Sequence, residues 1–204
     1  MKCFYPDSYR EHAFAKPRNI SFKHLVILKI LTDHITYQFI SQPPEGYSGT
    51  TELITGDHSK QFPSPDYLLI NYHDGTQQLF EIRTEFTGFA KKEIILTDTL
   101  LAVGIYDHFF IYNTVAKINL TGFNVSYFQA VFFHNNCFYV SGLDRVYCFE
   151  SSGKLKWESD SVAHDGVLIN EIQNETISGQ GGWDPPDGIW TNFTLNIHSG
   201  KLIT

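Results

Sequence analysis

The sequence predicts an all-β fold, and within that class a β-propeller-like domain of about five blades, each of mostly four antiparallel strands. Short apolar segments alternate with turn residues from residue 20 onwards, and no helical period lasts longer than about three turns. Glycines that follow short apolar strands recur at Gly104, Gly142 and Gly179, spaced 38 and then 37 positions apart. A period of about 40 residues with four strands per unit is typical of a propeller. A four-bladed ring, an incompletely closed ring and a β-sandwich stay open as alternatives.

The C-terminal part of the chain contains two copies of one β unit. In the first copy Gly142 ends one strand and Gly153 begins a turn, and Gly179 and Gly200 occupy the corresponding positions of the second copy. Gly142 and Gly179 are 37 positions apart, whereas Gly153 and Gly200 are 47 positions apart. The second copy therefore carries an insertion, which we assign to the hairpin at residues 181–188.

The N-terminal half begins with an irregular arm and continues with strands and loops. Residues 1–19 are polar and contain two prolines, which predicts the arm. Prolines and glycines also predict loops at 42–49 and 56–65. Asp74 and Gly75 predict a tight turn, because these residue types tolerate positive φ angles. The strands expected in this half are 24–32, 35–41, 51–55, 67–72 and 77–83.

The C-terminal half consists of strands at short intervals, joined by turns. A single domain spanning 1–204 accommodates all of the predicted elements, since all-β folds of this length are often undivided. The strands expected here are 93–97, 100–105, 108–113, 115–119, 127–134, 137–141, 145–150, 154–158, 166–173, 175–178, 189–197 and 201–203.

The composition limits the classes of partner. The formal charge is −7 and the pI is about 5.6, which disfavours direct nucleic-acid binding because phosphate recognition depends on clustered lysine and arginine. The same charge suits a basic protein partner, since opposite fields accelerate encounter. Solubility alone would also account for an acidic surface.

The N-terminus and the cysteines indicate a cytoplasmic protein. Residues 1–10 lack the apolar core of a signal peptide, and no apolar run has the length of a membrane span. An odd number of cysteines without ligand spacing fits a reducing compartment. Of the three, Cys137 and Cys148 are expected to face each other across a hairpin as buried thiols.

The hairpin at residues 181–188 is the candidate binding site. Trp183 and Trp190 bracket Asp184, two prolines and Asp187. Consecutive prolines stiffen the tip, which lowers the entropy lost on docking, and exposed tryptophan beside acidic residues is typical of a binding hot spot. The alternative is that one tryptophan folds back to cap the last blade while the carboxylates only solvate the turn.

Carboxylates are concentrated in the last third of the chain, and two of them, Asp160 and Asp165, are expected to flank the hairpin. On one propeller face they would form an acidic surface able to mimic phosphate or to cover a basic cleft, although ordinary solvated turns would have the same composition. The carboxylates of this region are Asp144, Glu150, Glu158, Asp160, Asp165, Glu171, Glu175, Asp184 and Asp187.

No motif in the sequence predicts catalysis, a cofactor or a metal. The nine histidines are scattered without zinc-ligand spacing, and a nucleophile elbow and phosphate-cradling glycines are absent from the sequence. The pairs His73-Asp74 and His164-Asp165 are best interpreted as turn residues. A small hydrolase or lyase would require several histidines to converge at the centre of the ring.

Two segments carry a resemblance to known proteins. Residues 145–157, an apolar strand leading through Ser152-Gly153 to Lys156-Trp157, resemble the blade-closing strands of quinoprotein-type propeller repeats. Residues 165–201 are similar to the C-terminal end of small bacterial propeller-like proteins, some of which are immunity proteins against polymorphic toxins. These include antitoxins of contact-dependent growth inhibition that neutralise EndoU-type ribonucleases. The resemblance implies no quinone site and no enzymatic activity.

This resemblance implies a non-catalytic inhibitor that binds a cognate nuclease toxin and blocks its active site. We expect a monomer in a one-to-one complex with a basic nuclease domain, no membrane association, and contacts through Trp183, Asp184, Asp187 and Trp190. The alternative is a general propeller scaffold that binds a peptide or another protein.

Overall fold

A computed structural model of the chain describes residues 35–55, 65–84, 91–183 and 188–204, all of which fall within one compact unit. These residues form fifteen strands in four small sheets, and no helix occurs among them. The prediction of an all-β fold is therefore confirmed. The expected arm at 1–19, the strand at 24–32 and most of the loop at 56–65 lie outside the described residues.

Each sheet is built from consecutive strands. Sheet 1 contains β1 (Thr36–Ile40), β2 (Thr51–Thr55), β3 (Asp66–Asn71) and β4 (Gln77–Arg83). Sheet 2 contains β5 (Lys92–Leu96), β6 (Leu100–Ile105), β7 (His108–Asn113) and β8 (Ile118–Asn124). Sheet 3 contains β9 (Ala130–His134), β10 (Cys137–Ser141), β11 (Val146–Glu150) and β12 (Leu155–Glu158). Sheet 4 contains β13 (Val167–Gln173), β14 (Thr176–Gly182) and β15 (Trp190–Asn196).

Sheets 2, 3 and 4 are antiparallel meanders, in which each strand pairs with the next along the chain. Asn135 and Asn136, both with positive φ, form the two-residue turn between β9 and β10 that suits the twist of a hairpin. Sheet 1 departs from the expected pattern, since its order is β1-β3-β4-β2 and β2 runs parallel to β4. The predicted turn at Gly75, with a φ of +83°, does join β3 to β4.

Three apolar clusters lie between successive sheets. Strand β6 contributes to two of these clusters, because its side chains point alternately to opposite faces. Leu100 and Ala102 pack in the cluster shared with sheet 3, whereas Leu101 and Val103 pack in the cluster shared with sheet 1. Strands β7, β10 and β11 likewise contribute to two clusters each. These strands are apolar on both faces because both faces are buried.

The chain passes from one sheet to the next in a repeated way. The Val125 N–H donates to the Asp107 carbonyl over 2.7 Å, and 37 residues later the Val162 N–H donates to the Asp144 carbonyl over 2.9 Å. The first strands of sheets 2, 3 and 4 lie beside one another, since β5 contacts β9 and β9 contacts β13. Sheets 2, 3 and 4 thus adjoin one another at the same edge, the edge formed by the first strand of each sheet.

The glycines confirm one predicted correspondence and correct the other. Gly153 and Gly200 both have positive φ and lie against the fourth strand of the preceding sheet, at Leu120 and Trp157 respectively. The structural equivalent of Gly142 is Gly181 rather than Gly179. A Cβ added at Gly142 would lie 2.1 Å from the Val125 carbonyl oxygen, and at Gly181 it would lie 1.8 Å from that of Val162.

Several strand boundaries also differ from prediction. The strand expected at 115–119 begins at Ile118, because the Asn113 side chain accepts hydrogen bonds from Val115 and Ala116 and holds a turn. The strand expected at 127–134 begins at Ala130, because the preceding Ser126 and Tyr127 have positive φ. Residues 201–203 form a single bridge to β15 rather than a full strand.

Candidate functional site

The predicted binding hairpin joins β14 to β15. At its base Gly182 pairs with Trp190, and the Trp183 N–H donates to the Ile189 carbonyl over 3.0 Å. Asp184 and Asp187, at the predicted tip, lie outside the described residues. The structure therefore describes the two tryptophans and the frame that carries the tip.

Trp183 is held by side-chain contacts and is half-buried. Its indole Nε1 donates to the Thr191 hydroxyl over 2.6 Å. Its ring lies 4.7 Å from the His164 ring, centroid to centroid, at an interplanar angle of 39°. Trp183 thus ties the end of β14 to β15 and to the segment that precedes β13, which favours a positioning role.

Trp190 is the exposed tryptophan, with 44% of its surface accessible. Its ring lies over Gly182, on the face opposite to Thr191 and hence opposite to Trp183, because neighbouring strand residues point to opposite faces. The preceding Ile189 is 57% exposed. The two tryptophans therefore do not share one flat surface, and the apolar contact available to a partner is Ile189 with Trp190.

The structure brings one of the two flanking carboxylates to the hairpin. The Asp165 N–H donates to the Gly182 carbonyl over 3.0 Å, and the His164 N–H donates to the same oxygen over 2.8 Å. Asp160 lies at the other end of the segment between β12 and β13, where its own carbonyl accepts the Ser159 hydroxyl over 2.7 Å. Both aspartate side chains are exposed.

The negative charge is concentrated in the C-terminal segment of the sequence, which contains sheet 4. From Glu158 to Thr204 the sequence has seven carboxylates and one lysine, which accounts for −6 of the formal charge of −7. The carboxylates described by the structure in this region are all exposed; they are Glu158, Asp160, Asp165, Glu171 and Glu175. Sheet 4 and its connections therefore form the acidic part of the molecule.

The outer face of sheet 4 is polar and accessible, unlike the faces of the inner sheets. The Gln180 amide donates to the Asn192 side-chain oxygen over 3.1 Å, which links β14 to β15 across this face. Leu168 on β13 is 42% exposed. The opposite face of the same strands, which includes Ile177 and Phe193, is buried against sheet 3.

A polar network around a buried carboxylate lies between sheets 1 and 2. Glu52 on β2 is 9% exposed, accepts the Tyr112 hydroxyl over 2.5 Å and pairs with the Lys117 ammonium at 3.0 Å. Burial alone would raise the pKa of Glu52, but the hydrogen bonds from Tyr112, Lys117 and Gln78 outweigh it and lower the pKa below its ordinary value. Residues far apart in sequence build this network, so no local pattern predicts it.

A second network joins sheet 1 to sheet 2. Asp66 accepts the Lys92 ammonium over 2.6 Å and the Tyr106 hydroxyl over 2.7 Å, and Lys92 also lies over the Phe39 ring. Nearby, burial raises the pKa of Glu93, which accepts the Val131 N–H over 3.4 Å. These contacts bind adjacent sheets together, and none of these residues is arranged with a nucleophile.

A histidine–aspartate pair lies at the start of β7. His108 Nδ1 lies 2.5 Å from the Asp107 carboxylate, a histidine–aspartate pair that the sequence analysis did not single out. Within the described parts of the chain, no group of three or more histidine, cysteine or acidic side chains could hold a metal ion. No helix in these parts is long and apolar enough to cross a membrane.

Cys137 and Cys148 lie on the paired strands β10 and β11 as free, buried thiols, as predicted. They are diagonal rather than directly opposed, because Cys137 pairs with Glu150 and Cys148 with Tyr139. Burial, together with the neighbouring thiol, raises the pKa of Cys148 to about 12. At neutral pH Cys148 is therefore an inert thiol.

Comparisons with known proteins do not identify a family for this chain. No family model and no curated protein matches this chain. Among solved structures it is similar to "KlHsv2 with loop 6CD replaced by a Gly-Ser linker", with a TM-score of 0.46 and 12% sequence identity. The match covers 68% of this chain and 45% of that structure, so the chain spans less than half of its length.

Proposed function

We propose that this chain is a non-catalytic immunity protein that binds a cognate nuclease toxin and blocks its active site. The observation that carries the proposal is the excess of carboxylates from Glu158 onwards, in the same part of the chain as the exposed Ile189 and Trp190. A basic nuclease has the complementary charge, because its cleft must bind phosphate. An acidic surface with an apolar anchor can occupy such a cleft in place of RNA.

The scaffold for this surface is a propeller-like ring of about five blades. Three features support a propeller over a sandwich: the four sheets follow each other in sequence, apolar clusters fill the spaces between consecutive sheets, and the first strands of sheets 2, 3 and 4 adjoin. A blade buries its faces only against neighbouring blades, which explains the doubly apolar strands of sheets 2 and 3.

Inhibition in this proposal is steric and electrostatic, and no substrate is turned over. The acidic field draws the basic toxin towards sheet 4, and Trp190 with Ile189 provides the desolvated contact. Trp183 positions the hairpin that carries Asp184 and Asp187, while Asp160 and Asp165 contribute charge beside it. We expect a monomer that forms a one-to-one complex in the bacterial cytoplasm, with fast and salt-sensitive association.

Affinity capture from a lysate of the native organism tests the proposal, with the wild type and an Asp160→Lys/Asp165→Lys variant as baits. The matched controls are an Asp98→Lys variant and an Asp98→Lys/Glu45→Lys double variant, because both residues are exposed acidic positions far from sheet 4 in sequence. We expect mass spectrometry to identify one basic nuclease that the wild type and the controls retain and the sheet 4 variant loses. Retention of the same protein by every bait would show that the acidic surface is not the contact.

The second candidate is a general scaffold that binds a peptide or a non-toxin protein. The exposed Leu168 and the polar outer face of sheet 4 favour it, because this face offers hydrogen-bonding groups without requiring a nuclease cleft. Capture of one specific partner that has no nuclease activity would favour this candidate over the immunity function.

A further inference from the structure

The three meanders differ in how much of the third strand is paired with a fourth strand. In sheet 2, β7 pairs with β8 along its whole length, from His108 to Asn113. In sheet 3, β12 covers β11 from Tyr147 to Phe149. In sheet 4, the edge of β15 that faces away from β14 has no full fourth strand among the described residues, and its partner there is the C-terminal tail, residues 201–204.

The tail covers only the last part of β15. The Thr194 N–H donates to the Thr204 carbonyl over 2.9 Å, and the Ile203 N–H donates to the Thr194 carbonyl over 2.7 Å. The Asn196 N–H donates to the Lys201 carbonyl over 2.8 Å. The backbone groups of Thr194 and Asn196 therefore point outwards, away from β14.

Backbone groups of every second residue in a strand point to the same side, so the outward direction seen at Thr194 and Asn196 also applies at the N-terminal end of β15. The backbone N–H and C=O groups of Trp190 and Asn192 point outwards with those of Thr194, whereas Thr191 and Phe193 bond to β14. Trp190, Thr191 and Asn192 are all exposed. Among the described residues, the first half of β15 is thus an open strand edge, lying beside the exposed Ile189 and Trp190.

We propose that the edge at Trp190–Asn192 is where an extended, basic segment of the partner protein adds as a strand to sheet 4. Such a strand would continue the line of the C-terminal tail and satisfy the outward backbone groups of Trp190 and Asn192. Ile189 and the Trp190 ring would pack against its side chains. The edge geometry stands alone, but the basic character of the segment rests on the proposed function.

The charge around this edge determines the kind of segment it accepts. The segment from Glu158 to the C-terminus has one lysine and seven carboxylates, and the backbone of one of them, Asp165, bonds to Gly182, the partner of Trp190. An acidic strand would therefore be repelled and a basic one attracted. Lysine side chains alternating with β-branched residues would place charge on one face of the added strand and apolar surface on the other. The lysines would then lie beside the polar outer face of sheet 4, which also carries Trp190, and the β-branched residues on the other face.

Backbone amide exchange in the presence of defined peptides tests this inference. The probe is an octapeptide of alternating lysine and valine, and the matched controls are the glutamate–valine peptide and a lysine–valine peptide N-methylated on alternate residues. Saturating probe should slow exchange at Trp190 and Asn192 by about fivefold or more, which corresponds to one net hydrogen bond of about 1 kcal/mol. Exchange at Thr191 and Phe193 should not change, and neither control should protect the edge.

A pair of variants tests the same edge from the side of the protein. Asn192→Pro removes the outward N–H, and a strand edge tolerates proline where that N–H faces solvent. Asn192→Ala keeps the N–H and loses only the side-chain bond to Gln180. The proline variant should lose at least about fivefold in affinity for the probe, while the alanine variant should bind as the wild type does. Far-ultraviolet circular dichroism establishes that both variants are folded.

The outcomes separate this inference from the proposed function. Protection at residues other than 190–192, or equal binding of the N-methylated peptide, would overturn strand addition even if a basic nuclease is captured. Protection of the edge by the glutamate–valine peptide alone would keep the edge as a strand-addition site and would overturn the basic character of its partner. The absence of protection by all three peptides would overturn the inference outright.

Discussion

Gly181→Ala tests the packing by which successive sheets meet. A Cβ at position 181 would lie 1.8 Å from the Val162 carbonyl oxygen, which is backbone and cannot rotate away. An ordinary contact needs about 3.2 Å or more, so β14 and the segment before β13 would have to separate by over about 1 Å. Overpacking of a well-packed interior lowers the free energy of unfolding by about 1–3 kcal/mol. We expect a loss of about 3 kcal/mol for Gly181→Ala, because the backbone of Val162 cannot move aside as a side chain can.

The adjacent Gly182→Ala is the matched control. Its Cβ would lie 3.3 Å from the ring of the exposed Trp190, which can shift by a few tenths of an ångström. Urea denaturation followed by tryptophan fluorescence measures both variants. We expect the free energy of unfolding to fall strongly for Gly181→Ala. For Gly182→Ala it should stay within about 0.5 kcal/mol of the wild-type value. Equal stabilities of the two variants would refute the close approach of β14 to Val162.

Three further changes test the cores and the buried charges. Because folding lowers the pKa of Glu52, its ionised form stabilises the fold at a pH above the ordinary pKa of glutamate. This stabilisation is lost as the pH falls through the pKa that Glu52 has in the folded protein. Glu52→Gln should therefore be less stable than the wild type at pH 7, and the difference in stability should shrink as the pH is lowered. Burial raises the pKa of Glu93, so its ionised form is the unfavourable one, and Glu93→Gln should raise the melting temperature at pH 7 but not below pH 4. Trp157→Phe removes the buried bond from the indole to the Ile197 carbonyl and should cost about 1–3 kcal/mol in urea unfolding, whereas an unchanged midpoint would contradict that bond.

The sequence predicted the strands well where both ends carry strong turn signals. The strands 100–105, 108–113 and 137–141 agree with the structure at both boundaries, because apolar β-formers fill them and turn residues flank them. The prediction failed where a side chain or an unusual backbone conformation delayed the start of a strand. Asn113 and the positive φ of Tyr127 had this effect, and neither can be inferred from local hydrophobicity.

The candidate site was only partly predictable for a different reason. The pairing of β14 with β15 decides that Trp190 is exposed and that Trp183 is held by Thr191, and a linear sequence does not give that register. The parallel pairing of β2 and the network of Glu52 with Tyr112 also depend on contacts between distant residues. The open edge of β15 is a further feature of this kind, because it depends on which strands pair with β15 and not on the local sequence.

Inhibition of RNA cleavage tests the central claim most directly. The captured nuclease is titrated with the wild type, with Trp190→Ala and with Asp98→Lys. The account predicts complete inhibition by the wild type and by Asp98→Lys at one equivalent, and a shift of about thirtyfold or more for Trp190→Ala, as for the loss of a hot spot of about 2 kcal/mol. Continued cleavage at saturating wild-type protein, or equal inhibition by Trp190→Ala, would contradict it.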